Sequence, residues 1–145
     1  MRLLLFRLIG ILEVAGGLYG LASTLHRLLP MRSAPGALPL LIELAVYAFV
    51  LVAGVCLLEG GERGMRLSGW AQLLQLPLLA TPMFSYAAHC GGFVDVYAVL
   101  RLPVRLGLDW RLGSHGFVLA LAGPAVSRVG INLLALLSWL VLRLR

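Results

Sequence analysis

Four long apolar runs decide most of what this chain can fold into. They are Leu3 to Leu25, Ala37 to Leu58, Leu67 to about Ala88, and about Ala125 to Leu142. Each is close to the roughly 20 residues that carry an α-helix across about 30 Å of hydrocarbon. Backbone amides in lipid have no water to turn to, so runs of that length are expected to be helical. Composition agrees: of 145 residues, 61% are hydrophobic and 12% charged, and mean hydropathy is +0.97. Ordinary soluble domains are about one-quarter charged. A soluble fold of this size leaves about a third of its surface in water, too much for so oily a chain to cover with polar groups. The expected fold is an all-α membrane protein, residues 1–145 forming one integral membrane domain with spans at 3–25, 37–58, 67–88 and 125–142.

The breaks between the runs carry turn chemistry. His26 to Pro39 contains three prolines and a glycine, which end the first helix and begin the second. Glu59 to Arg66 is the most polar stretch and reads as a short loop. Pro124 suits the first turn of the fourth helix, and Pro77 and Pro82 are expected to kink the third. The first run has the outline of a signal peptide, but Arg7 and Glu13 interrupt its apolar core, so it reads as a retained span. The segment LEVAGGLYG within it resembles the glycine-rich helices of small four-span bacterial membrane proteins, a likeness confined to one helix.

Between the third and fourth runs, Arg101 to Leu112 alternates strictly. Leu102, Val104, Leu106, Leu108, Trp110 and Leu112 fall on one face; Arg101, Pro103, Arg105, Gly107, Asp109 and Arg111 fall on the other. A period of two marks a strand with two unlike faces. Gly113 to Gly116 reads as a turn, Phe117 to Ala122 as a returning strand and Phe93 to Leu100 as a weaker one. The expectation is a small extramembrane β hairpin over about 93–122, arginine face outward and leucine face inward. A long fourth helix starting at Phe117 and kinked at Pro124 is the competing arrangement.

The net charge is +6, and all 12 basic residues are arginine. They are scattered between apolar runs, with no basic stripe, which argues for bilayer topology and head-group contact and against nucleic acid. Arginines beside the span ends place both termini in the cytoplasm, with Trp70 and Trp139 as interfacial anchors, in a bacterial inner (plasma) membrane.

Within this frame the polar residues stand out. Glu13 lies about 15 Å into the first helix by the helical rise, with Gln72 and Gln75 as its expected partners. Gly10, Gly16, Gly17 and Gly20 share its face, a small-residue surface on which another helix can approach closely. Glu43, Arg128 and Asn132 form an expected external cluster, and Arg101, Arg105 and Arg111 an expected contact for anionic lipid or a partner. His89, Cys90, Asp95 and His115 are the candidate metal ligands, but their spacing matches no metal motif, so neither metal nor cofactor is expected. Cys56 and Cys90 are expected to stay unpaired, at opposite faces of the bilayer. No phosphate-binding, dinucleotide, zinc-protease or serine-hydrolase signature is present. These features favour a non-enzymatic assembly subunit that joins copies of itself or a partner membrane protein through the glycine face. An oligomeric channel with Glu13 or Glu43 in its path is the alternative, and a small membrane enzyme a third.

Overall fold

The computed structural model describes residues 2–30, 34–112, 117–121 and 123–144. Its elements are α1 (Arg2–Leu28), α2 (Ala34–Glu59), α3 (Glu62–Gln75), β1 (Pro77–Ala80), β2 (Ser85–Ala87), β3 (Gly92–Val99), β4 (Arg105–Leu112), β5 (Val118–Ala120), β6 (Arg128–Asn132) and α4 (Leu133–Arg143). The first two apolar runs form the long helices. The all-α four-span bundle is overturned: among the described residues two helices are long and apolar enough to cross a membrane, and the β structure there is a six-stranded sheet rather than a small hairpin.

The errors have local causes. The third run breaks at Pro77, which lacks the N–H that a continuing helix needs and instead opens β1, a position strands tolerate. The fourth run opens as Arg128-Val-Gly-Ile-Asn132, alternating and β-branched, and becomes β6. Helix α4 begins only after Asn132, whose side-chain oxygen accepts from the Leu134 and Ala135 backbone N–H groups at 3.0 and 3.2 Å. The same oxygen accepts from Val94 N at 3.3 Å, tying α4 to β3. We expect Asn132→Ala to lose about 1–2 kcal/mol, the cost of deleting a good N-cap, as a lowered thermal midpoint in detergent.

Helices α1 and α2 form an antiparallel hairpin. Gly10 meets Leu58 and Gly54, Gly17 meets Leu51, and Gly20 lies against the Tyr47 ring. Arg27 and Glu43 form an ion pair at the far end of the hairpin. Helices α3 and α4 pack beside it as half-length rods, 14 and 11 residues long. At the near end Ile9, Leu57 and Leu142 bury one another, flanked by Phe6, Met65 and Val141. The start of α1, the end of α2 and the end of α4 therefore share one level.

The antiparallel sheet runs β4-β3-β6-β1-β2-β5. Strand β3 pairs with β4 from Gly92↔Leu112 to Val99↔Arg105, and with β6 from Asp95↔Asn132 to Val99↔Arg128. The returning strand β5 pairs with β2, not with β4. A flat sheet of six strands would hold its edges, β4 and β5, about 24 Å apart. Yet Val118 opens β5 only six positions after Leu112 closes β4, a reach of about 20 Å at full extension. The sheet must curl.

It docks on the hairpin through the loop between β2 and β3. The Tyr47 hydroxyl, halfway along α2, donates to the His89 carbonyl at 3.3 Å. Gly91, at φ +78°, touches the Leu12 carbonyl and the backbone of α1 at Gly16, where a Cβ would collide with Gly91 N and Cα. Tyr47, Val50, Ala53, Ala71, Ala88, Cys90 and Phe117 close a core around this junction. Tyr86 on β2 donates to the Leu74 carbonyl at 2.6 Å.

Candidate functional site

Residues directly paired across a sheet share a face. Asp95, Asp109 and Asn132 therefore stand on one side of the sheet, with Phe93 and Arg111 beside them and Tyr97 and Arg128 beyond. This side lines a cavity of about 320 Å³ to which all six strands contribute: Leu78, Ala87, Phe93, Asp95, Tyr97, Asp109, Arg111, Val118 and Arg128, with His89 from the loop after β2. Residues of both edge strands on one cavity are the direct signature of the curl. The other side is apolar and turned outward. Leu106, Leu108, Trp110 and Leu112 are 79%, 64%, 66% and 78% exposed, and Val129, Ile131 and Leu79 continue the surface. The leucine face is thus not turned inward as expected: β4 is exposed on both faces, with Asp109 and Arg111 on the cavity side.

Within the cavity His89 Nε2 and Asp95 Oδ2 are 2.7 Å apart, both side chains buried. The His89 ring stacks obliquely on Phe93, centroids 4.0 Å apart. Asp95 Oδ1 is buried with no hydrogen-bond partner among the described residues, and so is Nδ2 of Asn132, its neighbour in register. The Arg128 guanidinium lies 6.0 Å from the Tyr97 ring centroid. Arg111 faces the cavity, whereas Arg101 and Arg105 lie at the other end of the strand pair, at the level of Val99. Glu43 meets Arg27 and not Arg128 or Asn132; the antiparallel packing of α1 on α2, end to start, brings that pair together. Cys90 is buried, its backbone N–H donating to Gln75 Oε1 at 3.0 Å. His115 lies outside the described residues, and no group of three metal-ligating side chains converges among those described.

A second polar centre joins α1 to α3. Glu13 is 1% exposed. Ser68 Oγ donates to its Oε1 at 2.6 Å and Gln72 Nε2 at 2.8 Å; Oε2 has no hydrogen-bond partner among the described residues. Gln75 instead bridges α3 to the loop at Cys90. Ser68 went unnoticed in the sequence, although Ser68 and Gln72 stand at i and i+4 on a helix, the spacing of one polar face. The gap between Glu13, Gln72, Gln75 and Ser138 holds only about 10 Å³, about one water.

No family model, curated protein or solved structure matches this chain.

Proposed function

We propose that this chain is a membrane-embedded binding protein whose curled sheet takes up a small anionic molecule bearing a hydroxyl group. Lipid is supported as the surrounding solvent by the hairpin's outer surface. Only 33% and 39% of the most apolar windows of α1 and α2 are buried, unlike a helix at the centre of a soluble fold. Leu3, Leu8, Ile11, Leu18, Leu38, Leu41 and Val52 point outward. The sheet docks halfway along both helices, so its outer face stands at bilayer depth, and that face is apolar. Contiguous exposed apolar surface of this extent marks contact with lipid or a partner.

The observation that carries the ligand reading is the buried Asp95 Oδ1, without a hydrogen-bond partner among the described residues, on a side chain that lines the same cavity as Arg111 and Arg128. A buried carboxylate oxygen without a donor is costly. A ligand hydroxyl can donate to Asp95, and the guanidinium groups bind phosphate or carboxylate. The glycine face named from the sequence is occupied inside the chain, so it lends no support to assembly through that surface.

Glycerol 3-phosphate, with hydroxyls and a phosphate, is a suitable probe for calorimetry in detergent. We expect it to bind more tightly than inorganic phosphate. Arg111→Gln should weaken it about tenfold, the value of one charge-assisted hydrogen bond, and Asp95→Asn should abolish the preference over inorganic phosphate. Binding unchanged in Arg111→Gln, or no binding to the unaltered protein, would contradict the reading.

A further inference from the structure

A separate cavity of about 290 Å³ opens between α3 and α4, lined by Met65, Arg66, Trp70, Leu73, Trp139 and Arg143 among others. The two helices run antiparallel, so its chemistry is graded. Arg66, early in α3, and Arg143, at the last turn of α4, stand at one level. Leu73 lies about 10 Å further along α3 by the helical rise, toward Gln75 and the middle of the hairpin. The arginine end is the near end of the molecule, where Met65 and Leu142 pack with Phe6, Ile9 and Leu57 and where the apolar spans of α1 and α2 end. Neither arginine forms an ion pair with a described residue. The Arg143 guanidinium lies 5.2 Å from the Trp139 ring centroid, and Trp70 is 65% exposed.

Two unpaired guanidiniums at span-end level, indoles beside them and leucine below reproduce the order of groups in a phospholipid: phosphate, glycerol region, acyl chain. Guanidinium binds phosphate through a planar fork, and tryptophan favours the head-group boundary. We infer that the α3–α4 cleft is a binding site for one phospholipid with an anionic head group, the phosphate held between Arg66 and Arg143 and an acyl chain laid along Leu73. The assignment rests on the membrane reading above but not on the cavity of the sheet.

Native mass spectrometry of the full chain, released from bilayers of mixed phosphatidylglycerol and phosphatidylcholine, tests it. The unaltered protein should retain phosphatidylglycerol in preference. Arg66→Gln and Arg143→Gln should each reduce that preference about fivefold, the effect of one arginine near an anionic surface. Arg105→Gln, on the sheet, should leave it unchanged. Circular dichroism of each variant separates lost binding from lost folding, and Trp139→Phe, which keeps an aromatic ring, gives a milder second test. Equal retention of the two lipids, or a preference indifferent to both arginines in folded variants, overturns the site while leaving the membrane reading intact. Failure of the chain to enter bilayers of either lipid overturns both.

Discussion

Replacing Gly16 with leucine should detach the sheet from the helical hairpin. The middle of α1 meets the β2–β3 loop backbone to backbone, and even a methyl group at residue 16 would overlap Gly91. Backbone on both sides leaves no flexible side chain to yield. Gly91 meets α1 at Leu12 as well as at Gly16, so relieving the clash means lifting the loop off the helix. Overpacking of a core usually costs about 1–3 kcal/mol; here the loss should reach or exceed the top of that range. We expect new protease cleavage in the loop between β2 and β3, a large fall in thermal midpoint in detergent, and α1 and α2 still inserted. A change in oligomeric state with the loop still protected would show instead that this glycine faces another molecule.

The second large effect is expected at Glu13. Its Oε1 accepts from both Ser68 and Gln72 in a site closed to solvent. Glu13→Leu leaves those two donors buried without an acceptor, and each such group costs about 1–3 kcal/mol. The summed loss should be about 3 kcal/mol or more, seen as loosened α1–α3 packing and a lower midpoint. Glu13→Gln keeps the acceptor oxygen and the shape and should lose about 1 kcal/mol or less. The gap between the two variants is the informative quantity. Equal losses would mean that the two donors do not depend on this oxygen.

The long helices and the alternating strand were legible because each carries one period over many residues. Leu3 to Leu25 and Ala37 to Leu58 are apolar beyond the length of any strand, and Arg101 to Leu112 alternates without a fault, although the strand itself begins only at Arg105, after Pro103. The third and fourth runs misled for a physical reason. Hydropathy registers how apolar a stretch is and not its hydrogen-bond partners: β1, an interior strand flanked on both edges, is as apolar as a helix, and β6 runs straight into the leucines of α4, which mask its polar ends. Pro77 and the Arg128-Val-Gly-Ile-Asn132 alternation were the local signals against helix. Glu13 stood out because a charge in an apolar run is costly, and Gln72 was within reach of the reasoning. The pairing of His89 with Asp95 depends on a loop reversal at Gly91 that no spacing rule describes. The facing of β4 required knowing that the sheet curls, which follows from strand order and not from any single strand.

On the proposed membrane reading, the outer face of the curled sheet lies in hydrocarbon at the level of the hairpin's middle. Trp110 is the reporter: it is 66% exposed on that face and stands across from Val94, close to the Gly91 junction. With Trp70→Phe and Trp139→Phe it becomes the sole indole. In vesicles of lipids brominated at different acyl depths, we expect blue-shifted Trp110 emission, strongest quenching by bromines near the bilayer centre, and no quenching by aqueous iodide. Red-shifted emission quenched by iodide and indifferent to deep bromines would contradict it.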